Sequence, residues 1–181
     1  MIRHKDFWKQ NKIFHLNFDF QSTGYFKELD WELLCFSLES LSINYSVHYH
    51  CLLMMDTHVH LIFRISDDQE NFFTKDLLKK MGLKTQQDYY AEPITQHSQY
   101  LNTYKYIYRN PVQAGICDQV QDYPYSSLAA LLGKSVCAVF IQDHLGLIQN
   151  PQKILNWLNQ KDQLFKSAPI KDFRHDNSWS I

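Results

Sequence analysis

Two histidines separated by one residue, His58 and His60, lie in an apolar segment rich in β-branched and aromatic residues. Successive side chains of a β-strand point to opposite faces, so these imidazoles share one face while Val59 points toward the core. They are about 7 Å apart along the strand, which lets both converge on one metal ion. Alone, such a pair is more often a chance pair on a polar sheet face, so a metal site requires a third ligand elsewhere.

The segment before Pro111 offers both a further ligand and a nucleophile. Residues 98–110 form a predicted helix that ends at Asn110, because proline disfavours helical geometry in the preceding residue. Residues four apart share a helix face, so Tyr106 neighbours Asn110, whereas Tyr108 faces away. The same pattern also fits a half-buried helix face and an ordinary helix end, so neither residue alone defines a site.

Together these side chains supply two imidazoles, one carboxamide oxygen and a phenol. Nitrogen and oxygen ligands without thiolate suit Mg²⁺ or Mn²⁺, and they do not exclude Zn²⁺ or Ni²⁺. An incomplete ligand shell leaves room for substrate oxygens, as a Lewis-acid site acting on phosphate requires. A phenol is a poor nucleophile at neutral pH, but it becomes effective when a metal polarises the phosphorus centre.

These residues belong to a predicted series of strands and helices. Residues alternate strictly in polarity at the first strand, and apolar residues recur three and four apart at the helix that Asp30 caps. The predicted elements are a strand over 13–20, a helix over 30–42, a hairpin of 45–55 and 59–65 around Asp56-Thr57, a helix over 72–81, a strand near 91–95, and the helix over 98–110. This order predicts an α+β domain, an antiparallel sheet with helices packed on one face.

Residues 1–132 are predicted to form the catalytic domain, and residues 133–181 a mainly helical extension packed on it. Within the extension, apolar periodicity predicts a helix over 151–165, and no repeat or clean linker separates the two parts. The 181 residues suffice to bury a core without disulfides, and four widely spaced cysteines are expected to be reduced thiols. We find no signal peptide or membrane span, so we expect a cytoplasmic protein.

The net charge of −1 means that a nucleic-acid partner would have to be held by a local basic surface. Basic residues that cluster in sequence are candidates for this contact, although they would equally suit solvated helix faces. The candidates are Lys75, Lys79, Lys80, Lys84, Lys105 and Arg109.

The order of three blocks resembles a known family. Met-Asp-Thr-His-Val-His-Leu-Ile-Phe (55–63), Tyr-Ile-Tyr-Arg-Asn-Pro-Val-Gln-Ala-Gly-Ile (106–116) and Asp-Tyr-Pro-Tyr-Ser-Ser-Leu (122–128) are similar to motifs of the IS200-like, HUH-type transposases. Within that group the chain looks most like the REP-associated tyrosine transposases, from about residue 14 to residue 132. Its turn before the histidines is Met-Asp-Thr where Met-Pro-Asn is usual. Residues 66–97 also lack the Trp/Phe-Gln-x-Arg-like segment often found in the family.

The resemblance implies a ferredoxin-like HUH nuclease fold that binds Mg²⁺ or Mn²⁺ and cleaves single-stranded DNA beside hairpins. By position, His58, His60 and Asn110 match the metal ligands, and Tyr106 matches the nucleophile that forms a 5′-phosphotyrosine intermediate. Relatives occur as monomers and as homodimers, and both states stay open for this chain. Two alternatives also stay open: a domesticated hairpin-binding protein that cleaves little or no DNA, and a metalloenzyme unrelated to DNA.

Overall fold

The computed structural model describes residues 12–19, 30–65, 69–83 and 89–161. Lys84 and residues 162–181 lie outside them. The described elements, in chain order, are β1 (Ile13–Asp19), α1 (Trp31–Tyr45), β2 (His48–Met54), β3 (His58–Arg64), α2 (Glu70–Lys80), β4 (Tyr89–Ile94), α3 (His97–Gln113), a 3₁₀ turn (Val120–Asp122), α4 (Ser127–Leu131) and α5 (Pro151–Asn159). None of the described helices combines the length and apolar character needed to cross a membrane.

The four strands form one antiparallel sheet in the order β2-β3-β1-β4. The two central strands, β1 and β3, are therefore the ones that carry the polar alternation and the two histidines. This topology confirms the predicted α+β class with an antiparallel sheet. The Asp56-Thr57 hairpin is also confirmed, because the Met55 amide donates to the His58 carbonyl across a two-residue turn (2.8 Å).

Helices α1 and α2 pack on one face of the sheet. Their buried side chains, among them Leu38 and Phe73, meet alternate residues of the central strands, such as Leu16 and Leu61. Asp30 caps α1 as predicted, since its carboxylate accepts a hydrogen bond from the Glu32 amide (2.8 Å). This layer holds the larger of the two clusters of buried hydrophobic residues in the described chain.

The structure adds a second layer on the opposite face, which the prediction of helices on one face did not include. There α3 and the segments after it cover the end of the sheet near Ile13 and Ile62, with buried residues such as Tyr104 and Leu158. Helix α3 buries three tyrosines and Ile107, and packing on this face of the sheet removes that aromatic and apolar surface from water.

Helix α3 continues through Pro111 to Gln113, so the prediction that it ends at Asn110 was wrong. A proline in a last turn removes only one backbone hydrogen bond, and the amides that follow still find acceptors. Ala114 donates to the Asn110 carbonyl (2.9 Å) and Ile116 to the Pro111 carbonyl (2.9 Å). Gly115, at φ +72°, provides the left-handed residue that ends the helix.

The Tyr-Pro-Tyr-Ser-Ser motif covers the free edge of β2. Ser127 accepts a hydrogen bond from the Leu52 amide (2.8 Å) and donates to the Leu52 carbonyl (3.1 Å), while the Met54 amide donates to the Tyr125 carbonyl (3.0 Å). Tyr123 donates its hydroxyl hydrogen to the Met54 carbonyl (2.7 Å). The motif therefore satisfies backbone groups that an exposed edge strand would leave unpaired.

The described part of the C-terminal extension first pairs with the edge strand β2 and then packs on α3. Ile141 forms a parallel bridge with Tyr49, and the Gln142 amide donates to the Tyr49 carbonyl (2.7 Å). Helix α5 ends at Asn159, earlier than the predicted residue 165, and positions 162–165 of that prediction lie outside the described residues.

Candidate active site

Strand β3 presents His58 and His60 on the sheet face opposite α1 and α2, as the two-residue period predicts. Val59, between them, is fully buried in the core on the other face. The two imidazole centroids lie 4.7 Å apart in an edge-to-face arrangement. His60 is only 1% exposed, whereas His58 is partly exposed beside the turn. The pair is thus a half-covered site and not an open polar surface.

Helix α3 brings Tyr106 to this pair. The Tyr106 ring lies 5.6 Å from the His60 ring, centroid to centroid, in an edge-to-face arrangement. These residues are 46 positions apart in the chain, so only the packing of α3 across the sheet joins them. The structure therefore brings together the phenol and one imidazole of the predicted site.

Burial distinguishes Tyr106 from the other tyrosines of α3. Tyr100, Tyr104 and Tyr108 are buried, at most 2% exposed, and burial raises the pKa of each hydroxyl. Tyr100 and Tyr108 also have hydroxyl partners, His50 Nδ1 (3.1 Å) and Ser127 Oγ (2.8 Å). Tyr106 is partly exposed, so it is the α3 tyrosine that a substrate can reach.

Asn110 lies one helical turn after Tyr106 and is half-buried. Its side-chain amide donates a long hydrogen bond to the Tyr106 carbonyl (3.4 Å). That contact uses the nitrogen of the carboxamide and leaves the oxygen as the acceptor for another group. The predicted proximity of Tyr106 and Asn110 is therefore present in the structure.

Two residues that sequence reasoning did not select contact the histidines directly. His15 on β1 places Nε2 3.1 Å from Nδ1 of His60, with the two rings stacked at 5.3 Å. Thr57 in the turn places Oγ1 2.7 Å from Nδ1 of His58. The alternation of β1 already placed His15 on a polar face. Its register partner on β3 is Ile62, so the contact with His60 is diagonal and becomes visible only in the tertiary structure.

Burial keeps these imidazoles neutral. It lowers the pKa of His60 well below 6.5 and lowers that of His15 to about 4. For His58 burial also lowers the pKa, while the carboxylates of Asp19 and Asp56 act in the opposite direction. A neutral imidazole keeps one nitrogen lone pair for coordination, whereas a protonated one has none.

Two buried polar atoms at the site have no hydrogen-bond partner. They are Nε2 of His60 and Oδ1 of Asn17, and these two residues face each other across the β1–β3 pairing. An unpaired buried polar atom costs free energy, and a bound cation would recover it where the atom carries a lone pair. Nitrogen and oxygen donors of this kind suit a divalent ion. Among the described residues, however, no three His, Cys, Asp or Glu side chains are grouped to hold a metal.

The basic residues predicted to contact DNA separate into different environments. Lys79 and Lys80, like Lys75, are exposed on α2, on the opposite sheet face from His60. Lys105 is 3% exposed, and its Nζ lies 5.6 Å from the centre of the Trp157 ring. Arg109 is 8% exposed and donates to carbonyl oxygens at the end of α5. That Lys105 and Arg109 contact DNA stays a prediction.

The fold and the site together define an antiparallel α+β domain with a two-histidine strand facing a tyrosine helix. A solved structure of a REP-associated tyrosine transposase, bound to a REP hairpin, shares this fold with a TM-score of 0.59. The match covers 74% of this chain and 91% of that one at 16% sequence identity. The resemblance drawn from the motifs is thus confirmed as a likeness in fold. Neither a protein-family model nor a curated protein matches the sequence.

Proposed function

We propose that this protein is a metal-dependent endonuclease and strand transferase that acts on hairpin-containing single-stranded DNA in the cytoplasm. The observation that carries the proposal is the approach of Tyr106 to His60, at 5.6 Å between ring centroids, from elements far apart in sequence. The likeness in fold to a transposase bound to a REP hairpin supports the same class of substrate. It acts as a monomer or as a homodimer, which sedimentation of the hairpin complex distinguishes.

The metal ligands in this proposal are His58, His60 and Asn110, with Mg²⁺ or Mn²⁺ as the ion. The neutral imidazoles and the unpartnered Nε2 of His60 fit a divalent cation. When bound, such an ion would supply Lewis-acid polarisation of the scissile phosphate. Three protein ligands leave coordination positions for phosphate oxygens and water, which matches the preference of Mg²⁺ for partly hydrated sites.

Tyr106 is the nucleophile in this proposal. Its phenolic oxygen forms a bond to phosphorus as the bond from phosphorus to the 3′-oxygen breaks; the phenol loses its proton and the 3′-oxygen gains one. The products are a 5′-phosphotyrosine link and a free 3′-hydroxyl. Attack by another 3′-hydroxyl on that link reverses the step and joins strands, so no external energy source is needed.

The test uses a pool of single strands, each with one stem-loop flanked by randomised bases, incubated with the protein and Mn²⁺. If Tyr106 attacks as proposed, a label at the 3′ end moves with the protein on a denaturing gel. A label at the 5′ end leaves on a shortened free strand. Tyr106→Phe should abolish the adduct, whereas the matched variant Tyr104→Phe should retain it, since Tyr104 lies in the core.

His58→Ala should remove both Mn²⁺ dependence and cleavage, and circular dichroism should show that the variant is folded, since His58 is partly exposed. If the wild-type protein forms no adduct while Tyr106→Phe binds the hairpin pool equally well, the hairpin-binding alternative replaces the enzyme. If metal binds but single strands compete no better than unrelated polyanions, the protein is a different metalloenzyme. Sedimentation of the hairpin complex gives the number of protomers.

A further inference from the structure

In the candidate metal site, the Nδ1 atoms of His60 and His58 each contact a neighbouring side chain. Nδ1 of His60 contacts Nε2 of His15 at 3.1 Å, and Nδ1 of His58 contacts Oγ1 of Thr57 at 2.7 Å. A neutral imidazole carries its proton on one nitrogen and its lone pair on the other, so the partner of one nitrogen determines what the other can do.

We propose that His15 and Thr57 are positioning residues that hold His60 and His58 with Nδ1 protonated, so that both Nε2 lone pairs are available to the metal. This inference rests on the proposed function, since it concerns the ligands of that site. In this arrangement His15 Nε2 and Thr57 Oγ1 accept hydrogen bonds, and His15 carries its own proton on Nδ1.

The unpartnered atom at the site supports this assignment. Nε2 of His60 is buried without any hydrogen-bond partner, although a buried N–H would be expected to find one. A lone pair directed at a cation explains the missing partner, whereas an N–H group there would be an uncompensated donor. Metal-bound histidines usually donate their second N–H to an acceptor, which fixes both tautomer and ring orientation.

Thr57 belongs to the turn that reads Met-Asp-Thr in this chain, and this turn supplies the partner of His58. The Met-Asp-Thr turn places a hydroxyl next to His58, in the residue directly before it in the chain. The short turn is closed by the hydrogen bond between the Met55 amide and the His58 carbonyl, which limits the movement of Thr57 relative to the imidazole. His15 is similarly constrained, since it belongs to a central strand paired on both sides.

The first test reads the tautomers without metal or DNA. Protein labelled with ¹⁵N-histidine is studied by long-range ¹H–¹⁵N correlation at neutral pH. We expect the Nδ1–H tautomer at both His58 and His60. A protonated Nε2 at His60 would overturn the role of His15, and a protonated Nε2 at His58 would mean that Thr57 donates its hydroxyl hydrogen, which would overturn the role of Thr57.

The second test measures Mn²⁺ affinity by calorimetry in matched variants. Loss of an orienting partner should weaken metal binding by roughly 10- to 100-fold, so we expect this loss in His15→Leu and in Thr57→Val. His15→Gln keeps an acceptor near the former Nε2 position, and Thr57→Ser keeps the hydroxyl, so both should recover most of the affinity. Urea unfolding confirms that each variant is folded.

The outcomes separate the two proposals. If the wild-type protein binds Mn²⁺ and forms the DNA adduct but His15→Leu and Thr57→Val bind Mn²⁺ as tightly as it does, the positioning roles are wrong and the nuclease remains. If the conservative variants lose as much affinity as the disruptive ones, the residues act only through packing. If the wild-type protein binds no Mn²⁺, the proposed function fails, and this inference with it.

Discussion

At the scale of single residues, solvent exposure separates groups that share a sequence pattern. Helix α3 has tyrosines at positions 100, 104, 106 and 108, and three of them are buried with raised pKa values. A buried phenol cannot meet a phosphate and ionises less readily than an exposed one. The chemistry proposed for α3 therefore depends on Tyr106 lying at the margin of the packed surface.

Low solvent exposure likewise distinguishes Arg109 from the exposed basic residues of α2. Its guanidinium donates to the carbonyl oxygens of residues 158, 159 and 160, at 3.3, 3.1 and 2.8 Å. These carbonyls end α5, where a helix has unpaired acceptors and a partial negative charge. Arg109 is thus a cap for another helix.

We predict that Arg109→Met lowers the free energy of unfolding by about 2 to 3 kcal/mol, because charged hydrogen bonds to the carbonyls that end α5 are lost. Hydrogen exchange should speed up in the amides of α5, while hairpin affinity per folded molecule stays unchanged. Lys79→Met is the matched control, since this exposed residue should alter stability by less than about 0.5 kcal/mol. Weaker hairpin binding with unchanged exchange in α5 would contradict this account of Arg109.

At the scale of elements, the segments after α3 hold the fold together at two places. One is the edge of β2, where Ser127 and Gln142 pair with backbone groups of the strand. The other is α1, where Cys35 lies 3.4 Å from Cys137, sulfur to sulfur. A domain boundary at residue 132 stays a prediction, but the residues after it make contacts on both sides of the sheet.

We predict that a mild oxidant such as diamide joins Cys35 to Cys137. Both cysteines are free, and their contact lowers the pKa of Cys137 to about 7, which favours the reactive thiolate. Each thiol gives up its hydrogen to the azo compound as the disulfide forms. Closing a loop of this length, with a sequence separation of 102, should stabilise the protein by about 2 to 4 kcal/mol.

Mass spectrometry of unreduced peptides and urea unfolding before and after oxidation check this expectation. Cys137→Ser should prevent both the cross-link and the gain in stability, and Cys117→Ser should prevent neither. A cross-link that forms but leaves the unfolding midpoint unchanged would show that α1 and the C-terminal segment are already fixed relative to each other in the unfolded ensemble.

In the whole molecule, the two faces of the sheet differ: only one of them carries the candidate site. One face is apolar and covered by α1 and α2, while the other combines a second hydrophobic cluster with the histidines of the central strands. A cost of this arrangement is that several imidazoles are buried without charge. Besides those of the candidate site, His50 is 1% exposed, bonded to Tyr100 and stacked on His144 at 5.1 Å.

We predict that stability falls as the pH is lowered from 6.5 toward 4. Burial lowers the pKa of His50 to about 3 and that of His15 to about 4, against about 6.5 in an unfolded chain. Below pH 6.5 the unfolded chain binds a proton at each position and the folded protein does not, so protons favour unfolding. Between pH 7.5 and 5 each buried imidazole should contribute a loss of about 2 kcal/mol.

Urea unfolding at intervals from pH 7.5 to 5 measures this loss, in a range where carboxylates stay largely ionised. His50→Gln cannot take up a proton, and its position lies outside the candidate active site, so its stability should depend less steeply on pH. Equal slopes for the variant and the wild-type protein would show that His50 is not the source of the effect.

Local patterns predicted most of the elements, because strands and helices follow from periodicity and from their end residues. The period of two in β1, the cap at Asp30 and the turn at Asp56-Thr57 are all short-range signals, and all are confirmed. The predicted end of α3 at Asn110 is wrong, because the hydrogen bonds made by the residues after Pro111 offset the local cost of the proline. The sequence also does not reveal that Lys105 and Arg109 lie beneath α5.

Sequence periodicity predicts which residues share a face: His58 with His60 on a strand, and Tyr106 with Asn110 on a helix. These relations follow from backbone periods that operate within a few residues. The packing of α3 on the sheet reveals that the two faces meet, that His15 and Thr57 contact the imidazoles, and which tyrosine stays accessible. Such contacts join distant segments, and they depend on strand order and on which apolar surfaces are buried together, which no local period encodes.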